Sequence, residues 1–434
     1  MLKLAVVGNP VFHSRSPEIF NYLASQHNVK LHYSRISCDN VNDAIDLAKC
    51  VEIDGFNVTS PFKNSVMQNV DKLDYQAVNL NSANTILFTH TEIKGYNTDY
   101  FGILKTIWDD AITLNNKKVL ILGAGAAART AVFAVRNLNS KIFIWNRNTD
   151  KAKKIVNEFG IEHLTDKEVI NSIGEFDYII STIPPNSKIL SDLKFKENQT
   201  IFDTVYHNSF FKNHQQKFGY KLVVGEKWLI NQASLAFELF TGVKPNISSL
   251  FKYLQKNEKP INNNFVLIGF SGAGKTTLGR EIAEKFNFVT FDFDDMIEKK
   301  MNMSVSEIFA NYGENYFRDL ERRILLELNE NMKSNIKPHI ISVGGGIFDN
   351  EQNIEYIKSL GNVIWIYSPL EISYERISKL KNRPKLTSYD TAVELFKERK
   401  HKYFLNSDFI FVNSGDIKSI KERLINEISR LIYV

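Results

Sequence analysis

The stretch Phe265-Val-Leu-Ile-Gly-Phe-Ser-Gly-Ala-Gly-Lys-Thr-Thr-Leu-Gly-Arg280 reads as a buried strand, a glycine-rich turn and the opening of a helix. Gly269, Gly274, Lys275 and Thr276 satisfy the pattern G-x-x-x-x-G-K-[ST], whose backbone N–H groups cradle nucleotide phosphates. The residue types suit that task. Glycines at Gly272 and Gly274, with Ala273 between them, let the backbone wrap around anionic oxygens, and Lys275 reaches the outer phosphates. Thr276 is the position that ligates Mg2+, Thr277 follows it into the helix, and the positive end of that helix faces the phosphates. The loop lies past the middle of the chain, so a large amino-terminal piece needs its own explanation.

At 434 residues the chain is expected to form two to four domains. Its hydrophobic fraction of 43% and charged fraction of 24% fit a globular protein, and no apolar run is long enough to span a membrane. The start, Met1 to Gly8, turns into Gly-Asn-Pro too soon for a secretory leader. The two cysteines, Cys38 and Cys50, cannot build a disulfide framework or a four-cysteine zinc site, so a reducing, cytoplasmic setting is expected. A net charge of +5, spread along the chain, gives no argument for nucleic acid.

Four landmarks mark the first hundred residues. The strand candidate Leu2–Val7 leads to His13-Ser-Arg-Ser-Pro17, where Ser16 followed by Pro17 also reads as a plain helix cap. Asp54-Gly-Phe-Asn-Val-Thr-Ser-Pro-Phe-Lys63 places Thr59 and Lys63 at a strand's carboxyl end, where α/β proteins bind ligands, although a lone turn lysine is usually solvated. Ser82-Ala-Asn-Thr-Ile86 and Gly95-Tyr-Asn-Thr-Asp-Tyr-Phe-Gly102 complete the set, with helix capping the simpler role for Asp99.

In the middle, Lys117-Lys-Val-Leu-Ile-Leu-Gly-Ala-Gly-Ala-Ala-Ala-Arg129 is a strand, a tight turn and a helix start. Gly123 and Gly125 fit G-x-G-x-x-[GA], with Ala128 at the third position. A second strand, Lys141–Trp145, ends in Asn146-Arg-Asn148, where an NAD site would place an acid. Arg147 there points to a 2′-phosphate, while Asp150 nearby keeps NAD open and also reads as a cap. Further strands are expected at Tyr178–Ile183 and Thr200–Tyr206, and a helix from about Gln232.

In this order, from residue 2 to about 250, the landmarks resemble shikimate dehydrogenase. The resemblance implies that Ser14 and Ser16 hold the substrate carboxylate and that Lys63 and Asp99 form the catalytic pair. Thr59, Asn84 and Gln232 would meet ring hydroxyls, with Tyr206 near the carboxylate. Gly123, Ala124, Gly125, Ala126 and Ala127 would bind the pyrophosphate of NADP(H), and Asn146 and Arg147 its adenosine phosphate. Gly225-Glu-Lys-Trp228 departs from the family, which carries a methionine near the nicotinamide.

Beyond a polar, proline-containing stretch read as a linker, 251–264, and the phosphate loop, Val289-Thr-Phe-Asp-Phe-Asp-Asp295 alternates acids with phenylalanine. Read as a strand, it points Asp292 and Asp294 the same way; solvated turn acids are the bland alternative. Ser306–Glu321 gives a helix, a glycine stop at Gly313 and a second helix on which Glu314, Arg318 and Glu321 share a face, a pattern that surface ion pairing also explains. A strand, His339–Val343, runs into Gly344-Gly345-Gly346, and Arg376, Arg383 and Arg399 follow. This set resembles shikimate kinase across about 264 to 434. It implies that Asp294, Arg318, Arg399 and Gly344–Gly346 bind shikimate, with Asp294 placed to orient the attacking hydroxyl or take its proton. Lys275, Thr276 and Asp292 would organise ATP and Mg2+, Arg383 would be the lid arginine and Arg376 would pack on adenine.

The expected fold class is α/β throughout. An amino-terminal α/β substrate domain (1–102, completed by a helix at about 232–250) is joined to a Rossmann NADP-binding domain (103–231). A P-loop domain of the nucleoside-monophosphate-kinase type (265–434) comes after the linker. The expected function is reduction of 3-dehydroshikimate to shikimate followed by phosphorylation of shikimate, with small-molecule substrates and neither nucleic acid nor membrane as partner. Two alternatives are a quinate/shikimate dehydrogenase fused to the kinase and a silent metabolite-sensing regulator. The regulator would be expected to have lost Lys63, Asp99, Lys275 or Asp294, and all four are present.

Overall fold

A computed structural model describes residues 1–206, 208–256, 263–332, 337–378 and 388–432. The short apolar runs become strands buried on both faces, as at Phe265–Ile268, Tyr178–Ser181 and Phe409–Val412. That burial is characteristic of parallel sheets covered by helices. Two compact units result, one formed by Met1–Pro17, Lys30–Val66 and Lys259–Val434, the other by Glu18–Val29 and Met67–Glu258.

In the first unit the strands run in the order Val289–Asp292, His339–Ser342, Phe265–Ile268, Asn362–Tyr367, Phe409–Val412, Leu31–Ser37, Leu2–Gly8 and Gly55–Val58. Every neighbouring pair is parallel. The first strands of the chain thus continue a sheet begun by its last ones, in the register Phe409↔Arg35, Ile410↔Ile36 and Phe411↔Ser37.

The second unit holds a six-stranded parallel sheet in the order Lys221–Val223, Thr200–Asp203, Tyr178–Ser181, Lys118–Leu122, Lys141–Trp145 and Glu162–His163. Chain order reverses between Lys118–Leu122 and Tyr178–Ser181, which makes the turn after Leu122 the topological switch point of a dinucleotide-binding fold. Thr85–Phe88 pairs antiparallel with Ile93–Tyr96, which also pairs parallel with Lys72–Leu73.

Several element boundaries differ from expectation. The helix expected from about Gln232 is Gly225–Thr241 and so includes Trp228. Close packing fixes its start, because a Cβ on Gly225 would lie 2.7 Å from the Thr204 carbonyl oxygen. The first half of the stretch read as a linker is helical, Leu250–Lys256, with Leu250 and Leu254 buried. The strand containing Asp292 ends there. Asp292 caps the helix Phe293–Met301, so Asp294 lies in a helical first turn and not on an alternating strand. No helix among the described residues is long and apolar enough to cross a membrane.

Candidate functional sites

In the second unit, the turn after Lys118–Leu122 is built for close approach. Gly123 has φ +116, its N–H donates to the Trp145 carbonyl at 2.7 Å, and a Cβ would overlap the Thr182 side chain. Gly125 starts the helix Ala126–Arg136 with no side-chain cap, and nothing lies within 4 Å of where its Cβ would stand, so a ligand has room against the backbone there. Ala124 and Ala127 are half-buried and Ala126 is exposed. The arrangement fits a pyrophosphate. Asn146 donates to the Asn148 carbonyl at 2.8 Å, Asn148 caps the helix Thr149–Phe159, and Arg147 is exposed. Capping is therefore done by Asn148 and not by Asp150, which lies in the first turn.

A polar network surrounds Asn84. Its amide donates to the Thr98 hydroxyl at 3.0 Å and to Gln232 Oε1 at 3.2 Å, while its own oxygen accepts the Thr98 N–H at 2.8 Å. Asn97 caps the helix Thr98–Asp109, so the simpler role considered for Asp99 is already filled. Asp99 is 3% exposed, and its carbonyl accepts the Trp228 indole N–H at 3.1 Å. Gly102 permits this packing, since a Cβ would come within 3.0 Å of both Trp228 and Gln232. Trp228 thus ties its own helix to the helix bearing Asp99. Tyr206 is half-buried after Thr200–Asp203. Burial pushes the nearby Asp203 carboxyl up to about 6, against a hydrogen bond from Ser209 at 2.6 Å.

In the first unit, Ser14 and Ser16 follow the strand Leu2–Gly8. The Ser14 hydroxyl lies 3.2 Å from that of Ser16 and accepts the Ser16 N–H at 3.3 Å. Ser16 opens the helix Ser16–Gln26. Thr59 follows the neighbouring strand Gly55–Val58 and donates its N–H to the Val7 carbonyl at 2.9 Å. Lys63 is half-buried in the turn beyond it.

The same unit carries the phosphate loop. Gly269, Gly272 and Gly274 all have positive φ, and Gly274 leads into the helix Lys275–Phe286. Lys275 Nζ donates to the carbonyls of Gly269 and Phe270 at 3.0 and 3.1 Å, spanning the loop mouth. Asn413 donates to the Ala273 carbonyl at 2.6 Å and Arg376 to the Gly272 carbonyl at 3.2 Å, while Thr277 is exposed. Thr276 Oγ1 donates to Asp292 Oδ2 at 2.6 Å, a hydroxyl–carboxylate pair of the kind that ligates Mg2+. Asn413 carries no sequence signal.

Beside this loop lies a charged cluster. Arg318 pairs with Glu314 at 3.2 Å, with Glu321, and with Asp349 at 3.6 Å. Arg399 is buried and pairs with the same Asp349, and the Tyr403 hydroxyl donates to the Gly345 carbonyl. A side chain on Gly346 would overlap the Arg318 guanidinium. One on Gly344 would overlap Glu321 and lie 3.8 Å from Asp294 Oδ1. A Cβ on Gly345 would stand 3.2 Å from the Gly269 carbonyl oxygen, so the glycine run touches the phosphate loop. Asp294, Arg318, Arg399 and Gly344–Gly346 are therefore gathered together. Glu321 corrects the surface-pairing alternative, because it is 1% exposed. Burial raises its carboxyl to about 7, with Asp294 adding to the rise and Arg318 opposing it. Asp349 and the buried state of Glu321 escape sequence reasoning. Arg383 lies outside the described residues.

Comparison with known proteins gives three family matches along the chain. Residues 6–86 match the shikimate dehydrogenase substrate binding domain, 105–204 match shikimate / quinate 5-dehydrogenase, and 271–430 match shikimate kinase. The shikimate dehydrogenase (NADP(+)) of Methanococcus vannielii is 34% identical over 265 residues, covering 56% of this chain and 92% of that protein. Among solved structures, shikimate 5-dehydrogenase from Thermus thermophilus, in complex with NADP(H) and shikimate, is 27% identical with a TM-score of 0.54, over 59% of this chain and 99% of that one. The enzyme from Aquifex aeolicus is 27% identical with a TM-score of 0.55, over 59% and 98%.

Proposed function

The chain belongs to the shikimate dehydrogenase family and carries a shikimate kinase domain after it, and we propose that it catalyses two consecutive reactions. The first is NADPH-dependent reduction of 3-dehydroshikimate to shikimate. The second is phosphorylation of the 3-hydroxyl so formed, with ATP and Mg2+.

In the first reaction Ser14 and Ser16 donate to the substrate carboxylate, with Tyr206 near it, and Thr59, Asn84 and Gln232 orient the ring hydroxyls. Lys63 stabilises the oxyanion that develops on the carbonyl oxygen, and the Lys63 and Asp99 pair supplies its proton. Gly123–Ala127 receive the pyrophosphate, and Asn146 and Arg147 the 2′-phosphate. In the second, Arg318 and Arg399 hold the shikimate carboxylate, and Asp294 orients the attacking hydroxyl and accepts its proton. Lys275 and the Gly272–Thr277 turn hold the phosphates, Thr276 and Asp292 the metal, Arg376 the adenine, and Arg383 the transferring group. When bound, NADPH supplies the hydride and ATP–Mg2+ the phosphoryl group.

The observation that supports this reading is the meeting of the Gly344–Gly346 run with the phosphate loop, which brings Arg318, Arg399 and Asp294 near the nucleotide turn. The test is a coupled assay on purified protein. With 3-dehydroshikimate and NADPH, absorbance at the nicotinamide band should fall, and adding ATP–Mg2+ should then yield shikimate 3-phosphate. Kinase activity on supplied shikimate without NADPH oxidation would overturn the dehydrogenase half, and the converse result the kinase half.

A further inference from the structure

The loop between the strand Leu2–Gly8 and the helix Ser16–Gln26 is held by residues more than 390 positions away in sequence. Glu427, on the last helix, Ile417–Ile432, is 0% exposed. Its Oε1 and Oε2 accept the Val11 N–H at 3.0 and 2.9 Å, and Oε2 also accepts the Phe12 N–H at 2.8 Å. A carboxylate this deeply buried needs such donors, and hydrogen bonds to a charged group are the stronger kind. The restraint then passes along the loop. The Val11 carbonyl accepts the Ser14 N–H at 2.9 Å, and the Ser14 carbonyl accepts Arg35 Nε at 2.8 Å. The Arg35 guanidinium sits over the Phe409 ring at 5.0 Å, and Phe12 packs against the same ring at 4.6 Å. Both backbone polar groups of Ser14 are thereby engaged, and its hydroxyl lies beside that of Ser16.

One helical turn before Glu427, Arg423 closes the other side. It lies over Phe411 at 4.1 Å, donates to the Ser37 hydroxyl at 3.1 Å and pairs with Asp39 at 2.9 Å. The end of the strand Leu31–Ser37 is thus fastened to the strand Phe409–Val412 by side chains as well as by sheet pairing.

We propose that Glu427 is a positioning residue for the dehydrogenase, so that the last strand and helix of the kinase part shape the Ser14–Ser16 loop that receives the substrate carboxylate. This rests on the assignment of that loop made above. Fusion then supplies part of the scaffold of the first active site as well as a tether.

The test uses the full chain. Glu427→Gln places an amide donor among backbone donors while keeping the side chain's shape. Its KM for 3-dehydroshikimate should rise about tenfold, within what the loss of a charged hydrogen bond permits, with kcat changed by less than about twofold. Its kinase KM for shikimate should stay at the parent value. The rise should largely vanish when the substrate is the methyl ester of 3-dehydroshikimate, because the loop then meets no carboxylate. An unchanged KM, or an equal rise for acid and ester, would overturn the proposal. Should Glu427→Gln fold poorly, shown by kinase activity falling with it, Arg35→Lys removes the Nε donor to Ser14 and keeps the charge. The same KM and ester pattern is then required of it, and its absence is equally fatal. Ser14→Ala and Ser16→Ala separate the two levels of inference. If they leave KM unchanged, the carboxylate assignment fails; if they raise KM and Glu427→Gln does not, only the role of Glu427 fails.

Discussion

Asp99 is buried in the first turn of the helix Thr98–Asp109, which Asn97 already caps, so capping does not account for it. Removing a group that takes part in proton transfer costs about a hundredfold to ten-thousandfold in rate. Asp99→Asn should lower the dehydrogenase kcat by that order while kinase kcat on supplied shikimate holds, and a loss below about threefold would remove Asp99 from the mechanism. Glu321 makes a pH prediction of definite sign. Its folded carboxyl is raised from 4.5 to about 7, chiefly by burial. Between those values the folded chain keeps a proton that the unfolded chain has lost, so its contribution to stability falls as pH rises through the window and is level above it. The full swing is about 3 kcal/mol. The urea midpoint of Glu321→Gln should accordingly fall less than the parent's between pH 4.5 and 7.5, and parallel curves would refute it. At this scale the phosphate-loop residues are legible because their spacing is itself chemistry. Glu321 is not, since three- and four-residue charge spacing looks the same on a solvated face as in a buried cluster.

A helix cap and a metal ligand make different demands on Asp292, and substitution separates them. The residue caps Phe293–Met301 by accepting the Asp294 N–H at 3.1 Å, and its other oxygen accepts the Thr276 hydroxyl. Asparagine caps nearly as well as aspartate but is a poor partner for Mg2+. Asp292→Asn should stay within about 0.5 kcal/mol of parent stability. Its kinase rate should nonetheless fall by more than about a hundredfold, because catalysis here is mostly positioning and charge neutralisation. Asp292→Ala should lose about 1 kcal/mol as well. Equal stability losses in the two variants would show that the cap contributes nothing. The same residue explains why the strand reading fails here. Alternating Phe and Asp imitate a strand, yet a capping aspartate at the strand's end turns the chain into a helix one residue later. The helix Val305–Met332 is legible as two, because Gly313, at φ 78 and ψ 175, breaks it at the expected glycine stop.

The parallel pairing of Phe409–Val412 with Leu31–Ser37 joins segments from the two ends of the chain, and neither strand's own sequence announces its neighbour. Apolar runs report burial, and both strands would look alike in separate sheets. Arg423 and Glu427 lie four apart on a helix, which in sequence is an ordinary surface pair; only the fold shows both buried, at 5% and 0% exposure. The consequence is testable by cutting the chain. Residues 257–262, Asn-Glu-Lys-Pro-Ile-Asn, are mostly polar in sequence and suit an inserted protease site. After cleavage the pieces ending and beginning there should co-elute as one species. Backbone pairing, the Phe12–Phe409 contact and buried carboxylate and guanidinium groups hold them, and such buried charges are little screened by salt. Co-elution should persist at about 1 M NaCl, where exposed ion pairs no longer act beyond about 3 Å. Dehydrogenase activity should survive the cut and disappear if the carboxyl-terminal piece is then stripped away by urea, because the Ser14–Ser16 loop loses its anchor. Separation of the pieces on cleavage, with full activity in the amino-terminal one, would reduce the fusion to a flexible tether.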